Sequence, residues 1–341
     1  MSLRERFERY PKIELHLHLE GAIPPGAFWQ LLGKYGGDPS VPSREALDSR
    51  FAYRDFPHFI ETWIWKNGFL REYEDFAFIA EEVARDLARQ RILYAEVFFS
   101  PGDFGRFGLE AGRIAEAVRQ GLDKVPAIQV ALVADLVRDF GPQRAAATLA
   151  EVHEARGCGI AGIGIGGSEH EFPPEDFADV YRRARDLGFR TSAHAGEAAG
   201  PESVWGAIRA LAVDRIGHGT RAAEDPKLLD YLTERRLPLE LCVLSNLRTG
   251  VVASVAAHPA RLYFERGIPI SINTDDPRMF GCSLADEYLA LHDQLGFTPQ
   301  EIRSVIMDSV ETSWLPPPEK NDLRRRLQQE FARLEEQTPG A

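Results

Sequence analysis

Two histidines near the start of the chain, His16 and His18, have the spacing of ligands that share one metal ion. They lie in residues 12–19, where apolar and polar residues alternate as they do in a β-strand. Successive side chains of a strand point to opposite faces, so both imidazoles project from one face, together with Glu14 and Glu20. Two imidazoles on a rigid strand can bind one ion, and we predict a metal site here.

Two histidines with this spacing could also face water on a half-exposed strand. The prediction of a metal site therefore needs further candidate ligands elsewhere in the sequence. Other apolar runs end in such groups, including His194 in TSAHAGE and Asp275 in INTDD. Three imidazoles and one carboxylate suit zinc, and we assign His16, His18, His194 and Asp275 to one ion per chain. The set leaves room for water, whose pKa zinc lowers to about 7, so a catalytic ion is expected.

These groups fall within a regular alternation of strands and helices. The predicted strands are 12–19, 92–100, 128–137, 160–166, 190–194, 215–218, 238–244 and 268–273, and the helices between them are 109–122, 142–155, 174–187, 202–212, 225–235 and 258–266. Eight parallel units favour an α/β fold, a closed (β/α)8 TIM barrel, over residues 1–341 as a single domain. A doubly wound sheet is disfavoured because no GxGxxG turn follows the first strand. Barrel active sites lie at the carboxyl ends of the strands, where the histidines are.

Two further segments lie outside the alternation. A long helical insertion follows the first strand, with predicted helices at 25–35, 56–69 and 72–89, and its aromatic stretch 56–65 is expected either to cover a flat ligand or to pack on the barrel flank. The C-terminal stretch 319–337 is predicted to be an exposed, charged helix without a role in catalysis.

The predicted fourth strand indicates one ion rather than two. Barrel hydrolases with two ions commonly bridge them with a modified lysine or a carboxylate at this strand end, and the run from Ile163 to Gly167 contains neither. Its glycines instead allow a ligand to approach the backbone, where Gly167 can offer its N–H.

Composition restricts the partners. The net charge of −12 argues against binding a nucleic-acid backbone, which requires a basic surface. The three cysteines are scattered and form neither a disulfide framework nor a CxxC pair, as expected in a reducing compartment. Neither a secretion signal nor a membrane-spanning run is evident, so we expect a cytoplasmic enzyme with a small-molecule substrate and no membrane partner.

With these residues in place, the chain resembles the adenosine deaminase family of the amidohydrolase superfamily. The matching motifs are HLHLEG from His16, GGSE from Gly166, HAGE from His194, GHG from Gly217, Ser245-Asn246 with Thr249-Gly250, and NTDDP from Asn273. They occur in the family's order over residues 8–335. The resemblance implies a zinc-dependent purine nucleoside deaminase that converts a 6-aminopurine, adenosine or a related nucleoside, to the 6-oxo product and ammonia.

The resemblance also implies roles for residues of the site. Glu197 would protonate N1 of the purine, and His218 would orient or deprotonate the zinc-bound water and stabilise the developing alkoxide. Asp276 would bond to N7 and the Gly167 N–H to N3. Ser245, within a matching motif, is included as a supporting residue.

The residue at position 20 leaves the substrate open. Adenosine deaminases usually have aspartate where this chain has Glu20, and that aspartate contacts the ribose 5′-hydroxyl, so we assign Glu20 to the sugar end of the substrate. His18 is also assigned to substrate binding. Relatives that act on adenine or on 6-aminodeoxyfutalosine also have glutamate there. The GGSE segment resembles adenine-specific relatives less, and we favour a nucleoside over the free base.

Two other functions compete with deamination. A mononuclear phosphoesterase on the same barrel would need cationic groups near the metal, and the only candidates are Arg248 and Arg278 in loops. A non-catalytic nucleoside-binding relative would typically have lost the proton-transfer pair, yet Glu197 and His218 are both present.

Overall fold

Eight parallel strands form a barrel in the computed structural model, which describes residues 1–53 and 56–337. The strands are β1 Lys12–His18, β2 Ile92–Phe99, β3 Gln129–Asp135, β4 Ile160–Gly164, β5 Arg190–Ala195, β6 Arg215–His218, β7 Leu239–Leu241 and β8 Ile270–Ile272. Each strand pairs in parallel with the next. The ring closes where Leu17 of β1 bridges Asp275, just beyond β8. The predicted (β/α)8 barrel is confirmed.

Helices surround the barrel. They are α1 Leu3–Arg9, α2 Pro25–Lys34, α3 Arg44–Arg50, α4 Phe56–Asn67, α5 Tyr73–Arg89, α6 Ala111–Leu122, α7 Gly141–Glu154, α8 Ala178–Asp186, α9 Pro201–Gly206, α10 Pro226–Arg235, α11 Val243–Arg248, α12 Ala260–Glu265, α13 Pro277–Phe280, α14 Leu284–Leu295, α15 Pro299–Thr312 and α16 Pro317–Gln337. Within the described ranges, every helix is too short or too polar to cross a membrane.

Burial explains why these segments form a barrel. All residues of β1 and β2 are buried, as expected for strands covered by helices outside and by side chains inside. The helices are amphipathic, and α5 buries Phe76, Ile79 and Val83 on one face. The barrel therefore has an inner layer of strand side chains, and the polar members of that layer form the site described below.

The predicted ends of several strands are wrong, including 128–137 and 160–166, which run two residues past β3 and β4. The apolar run 238–244 was predicted to be one strand, but β7 ends at Leu241 and the chain turns into α11 at Val243. The prediction for β8 was likewise too long, at 268–273. Both runs are buried beyond the strand, and burial, rather than strand pairing, explains their apolar sequence.

The prediction of an exposed C-terminal helix is also wrong. One face of α16 is buried through Leu323, Leu327 and Phe331, which recur at intervals of four residues. The ring of Phe331 packs edge-on against Tyr10, with centroids 5.1 Å apart. The helix therefore belongs to the core, and its charged residues cover the outer face.

Candidate active site

Four predicted metal ligands meet at the carboxyl end of the barrel. One ligand atom from each of His16, His18, His194 and Asp275 lies within 4.8 Å of every other, and all four side chains are buried. The Nε2 atom of His194 is 3.1 Å from that of His16 and 3.2 Å from that of His18. Two nitrogens bound tetrahedrally to one zinc ion would be about 3.4 Å apart. The donor set and its spacing therefore fit a single zinc-sized ion.

Neighbouring groups orient His16 so that Nε2 faces this centre. The Nδ1 atom of His16 lies 2.7 Å from Glu240 Oε2, to which it donates, leaving a lone pair on Nε2. Burial alone would raise the pKa of Glu240, but Arg215 and His16 outweigh burial and lower it to about 2. Below the imidazoles lies the ring of Phe98, with its centroid 4.7 Å from that of His16. Both contacts hold the ligand in one orientation.

Two residues of the site have left-handed backbone. Asp275 has φ of 62° and His218 has φ of 59°, although neither is glycine. Such conformations are strained and persist where the surrounding structure imposes them. Asp275 is fixed on both sides by β1, because its N–H donates to His16 O (3.1 Å) and its carbonyl accepts from His18 N–H (2.9 Å). Ser245 Oγ donates to Asp275 Oδ2 (2.7 Å), which places Ser245 behind this carboxylate.

Glu197 and His218 lie beside the predicted ligands. The Oε2 atom of Glu197 is 3.5 Å from Nε2 of His218. Burial, reinforced by the charges of Asp275 and Glu169, raises the pKa of Glu197 well above its ordinary range. Burial lowers the pKa of His218 to about 4. Burial therefore favours the uncharged form of both groups, the carboxyl of Glu197 and the imidazole of His218.

A second buried acid holds the turn that carries Glu197. The carboxylate of Glu169 accepts four successive backbone N–H groups after β5. They come from Gly196 (2.5 Å), Glu197 (3.1 Å), Ala198 (2.7 Å) and Ala199 (3.1 Å). A carboxylate with several N–H donors is a strong anchor, so Glu169 fixes where Glu197 can reach.

Asp276 points away from the predicted metal ligands. Its Oδ1 atom is buried without a hydrogen-bond partner among the described residues. Burial, together with the adjacent Asp275, raises the pKa of Asp276 well above its ordinary range. A Cβ atom on Gly21 would lie 1.6 Å from this oxygen, so only glycine at position 21 allows Asp276 its place. Burial thus favours the protonated form of this carboxyl, and its Oδ1 atom is available to a ligand.

These groups open onto a cavity of about 310 Å³. Its wall includes His18, His194, Glu197, Asp275, Asp276 and Gly167. Gly167 has φ of 106°, and a Cβ there would lie 1.9 Å from Asp139 Oδ2, so the position requires glycine.

One wall of the cavity is apolar and comes from the insertion. Helix α4 contributes Phe59, Ile60, Trp63 and Ile64. Part of the aromatic stretch 56–65 therefore borders the cavity. This position agrees with the expectation that the stretch covers a ligand. The side chains of residues 56 and 57, also in that stretch, lie outside the described part.

The structure places Glu20 behind the cavity rather than in its wall. Its Oε1 atom accepts the N–H of Ser100 (3.0 Å), and Ser100 itself lines the cavity. Lys66 Nζ donates to the carbonyl oxygen of Glu20 (2.5 Å). Burial raises the pKa of Glu20 to about 7. Among the predicted site residues, Glu20 and Ser245 therefore lie behind other side chains, whereas the rest cluster at the strand ends.

Sequence reasoning missed the groups that support the site. Glu240 orients His16, and Glu169 anchors the turn of Glu197. One signal was available, since Glu240 is an acid inside the apolar run of β7, where a buried charge needs a partner. Glu169 is the last residue of the GGSE motif, which marked the segment but not the backbone groups that its carboxylate accepts.

Known proteins are similar to the whole of this arrangement. The sequence matches the family described as adenosine deaminase over residues 11–330. It is 36% identical over 316 residues to the aminodeoxyfutalosine deaminase of Streptomyces coelicolor, covering 91% of this chain and 81% of that protein. It is also 36% identical over 329 residues to the adenosine deaminase of Serratia proteamaculans, covering 94% and 98%. Among solved structures, an amidohydrolase from B. ambifaria with bound zinc superposes with a TM-score of 0.89 at 28% identity, covering 99% and 95%.

Proposed function

The chain belongs to the adenosine deaminase family, and from that premise we propose that it removes the 6-amino group of a purine nucleoside at a single zinc site. The family makes it a hydrolase that deaminates aminopurines. The observation that carries the finer proposal is the convergence of four ligand atoms within 4.8 Å beside a cavity lined by Glu197 and Asp276, two carboxyl groups whose pKa burial raises.

The proposed ligands are His16, His18, His194 and Asp275. Three imidazoles and a carboxylate are preferred by zinc, and a similar solved structure contains zinc. In the proposed reaction, water replaces the amino group at C6, and the products are a 6-oxo purine and ammonia. The chemistry that a bound zinc ion supplies is a water whose pKa falls to about 7.

The other residues bind the purine through its nitrogen acceptors. In an N9-substituted purine, N1, N3 and N7 all accept hydrogen bonds. We assign the protonated Glu197 to N1, the N–H of Gly167 to N3 and the protonated Asp276 to N7, so each acceptor meets a donor. Proton transfer from Glu197 to N1 makes C6 more electrophilic. His218 stabilises the charge that develops on the oxygen at C6.

A nucleoside is favoured over the free base by what lines the rest of the cavity. Beyond the groups assigned to the purine, the wall includes Ser100, Asp103 and Arg106 after β2 and Asp139 and Phe140 after β3. Of these, Ser100, Asp103, Arg106 and Asp139 are polar and suit a sugar with its hydroxyls. We assign Glu20 and His18 to that end, with Glu20 acting through Ser100, whose N–H it accepts.

A nucleoside with a 5′ substituent is the second candidate. Ile64 and Phe140 both line the cavity, yet 53% and 46% of their surfaces are exposed. Exposed apolar side chains at a cavity often mark a contact surface for a ligand. An apolar group at the 5′ position would cover them, and the Streptomyces relative is named for such a nucleoside.

Purified, zinc-loaded protein should be tested against adenosine, adenine, AMP, a 5′-substituted adenosine and 6-aminodeoxyfutalosine. We expect ammonia release from at least one nucleoside, at a kcat/KM above that for adenine. Removing the metal with a chelator should abolish the activity, and one equivalent of zinc should restore it. No turnover of any 6-aminopurine by protein with full zinc content would refute the proposal.

A further inference from the structure

A buried series of hydrogen bonds connects the start of α12 to His218. The N–H of Ala260 donates to Nδ1 of His258 (3.2 Å). Nε2 of His258 is 3.2 Å from Oδ1 of Asn246, and Nδ2 of Asn246 is 3.1 Å from Nδ1 of His218. The residues His258, Asn246 and His218 are at most 3% exposed, so the atoms that form these bonds depend on one another rather than on water.

The backbone N–H at Ala260 determines the direction of every bond in the series. A backbone N–H can only donate, so Nδ1 of His258 must accept. Burial lowers the pKa of His258 to about 3, which leaves one proton on the ring. That proton is then on Nε2, and the Asn246 atom that faces it must be an acceptor, the carbonyl oxygen.

A second donor supports the same orientation of the Asn246 amide. Thr220 Oγ1 donates to Oδ1 of Asn246 (2.6 Å). The amide nitrogen of Asn246 therefore faces His218, and an amide NH₂ can only donate. Nδ1 of His218 must accept this bond and therefore carries no proton, so Nε2 is the protonated nitrogen of the ring. Nε2 in turn lies 3.5 Å from Glu197 Oε2 and 4.0 Å from Asp275 Oδ2.

We propose that Asn246 and His258 are positioning residues that fix the tautomer of His218, so that its Nε2–H is a hydrogen-bond donor at the reacting end of the site. Neither residue touches the cavity, and both act through His218. The consequence for catalysis rests on the proposed function, since a donor there stabilises oxygen as it gains charge at C6. His218 then orients and stabilises that oxygen, and it does not act as the base that takes its proton.

The tautomer can be observed without measuring activity. Nitrogen NMR of ¹⁵N-histidine-labelled protein separates pyrrole-like from pyridine-like ring nitrogens, and the His218 signals are assigned by their loss in His218→Asn. In both metal-free and zinc-loaded protein we expect a pyrrole-like Nε2 and a pyridine-like Nδ1. A proton on Nδ1 of His218 would overturn the proposal, and this test does not depend on whether the Asn246 or His258 variants fold.

The substitution Asn246→Asp keeps the shape of the side chain but replaces the hydrogen-bond donor that faces Nδ1 of His218 with an acceptor. A carboxylate facing Nδ1 of His218 must accept, so the proton moves to Nδ1 and Nε2 no longer donates. We expect kcat to fall by about 10²–10³-fold, the usual effect of losing one donor to a developing oxyanion, with metal content and KM little changed. A folded, zinc-loaded Asn246→Asp with the wild-type nitrogen pattern would contradict the proposal.

Variants of Thr220 and His258 distinguish a role in orienting His218 from a role in stabilising the fold. Thr220→Val keeps the bond from His258 to Asn246, so we expect an unchanged nitrogen pattern and a smaller loss of kcat than in Asn246→Asp. His258→Gln keeps a donor for Oδ1 of Asn246 and should retain more activity than His258→Leu. Equal losses in both His258 variants would count against the orienting role. If no purine is deaminated but the tautomer is as predicted, the proposed function fails and this inference stands.

Discussion

Two buried polar clusters share the interior of the barrel, and they differ in how completely their atoms are paired. In the ion cluster, Arg215 binds Glu96 and Glu240, while Glu96 also accepts from Tyr94 OH and Trp314 N–H. The active-site cluster lies at the carboxyl ends of the strands. Several of its buried atoms lack hydrogen-bond partners in the described chain: Nδ1 of His18, Nδ1 of His194, Nε2 of His218 and Oδ1 of Asp276.

The difference separates groups that stabilise the fold from groups kept for a ligand. A buried polar atom without a partner costs about 1–3 kcal/mol, and such atoms are tolerated where a ligand completes the bonding. Glu240 belongs to both clusters, because Oε1 accepts from Arg215 and Oε2 accepts from His16. The paired cluster thereby orients His16, one of the proposed metal ligands.

The largest effect on catalysis is expected from Glu197→Ala. Loss of the proposed acid should lower kcat by about 10²–10⁴-fold, since a positioned proton donor is worth that much. Metal content and the free energy of unfolding should stay close to wild type, because Glu197 carries no structural ion pair. Steady-state kinetics with metal analysis tests this. A kcat near that of the wild type would remove Glu197 from the mechanism.

In the ion cluster, Arg215→Met should lower the stability of the fold more than it lowers kcat. This change leaves Glu96 and Glu240 buried without their cation, and the free energy of unfolding should fall by about 3–5 kcal/mol. The kcat of the folded protein should fall much less than in Glu197→Ala. Denaturant unfolding of metal-free protein measures the loss. The double variant Arg215→Met with Glu96→Gln should recover part of it, and an unchanged stability would show that the cluster is not structural.

Glu169→Gln tests whether Glu169 anchors the turn that carries Glu197. Its effect on kcat should be smaller than that of Glu197→Ala. The amide would place an NH₂ group where an oxygen now accepts a backbone N–H, which weakens the turn that carries Glu197. Bonds to a charged acceptor contribute about 1.5–3 kcal/mol, so we expect kcat to fall by about 10–100-fold with metal content unchanged. Glu171→Gln, an exposed acid nearby, is the matched control. Equal kcat values for the two variants would argue against anchoring.

The smallest effect is expected from Glu20→Asp, which changes the pocket by one methylene. The shorter side chain should loosen the contact with Ser100 and shift the ratio of kcat/KM between adenosine and a 5′-substituted adenosine by about tenfold. Competition assays with both nucleosides give this ratio directly. If the ratio does not change, Glu20 plays no part in the choice of substrate.

The sequence predicts the barrel and the residues that meet at its mouth because both follow from local patterns. The i, i+2 spacing of His16 and His18 is preserved on a strand, and the carboxyl ends of all strands face one rim. The metal-ligand set could therefore be assembled before the structure. Its spacing now fits one ion.

Partners that are distant in sequence could not be predicted in the same way. The bond from Glu240 to His16 spans 224 residues, and the anchoring of Gly196 by Glu169 depends on how two loops meet. Strand ends failed for a related reason, since Val243 and Leu244 are apolar through tertiary packing although they begin a helix. Local sequence patterns identify which groups converge at the site. Hydrogen bonds between residues that are distant in sequence determine which of those groups have a fixed orientation.

The left-handed backbone at His218 and Asp275 has a consequence for protein engineering. Redesign that scores each position by local conformational preference would favour glycine or asparagine at both, because these residues adopt positive φ at lower cost. Such substitutions would relieve the backbone strain while deleting a proposed metal ligand and the imidazole beside it. A thermostable version of this enzyme should therefore be sought with positions 218 and 275 held constant, and with the helical shell as the place to gain stability.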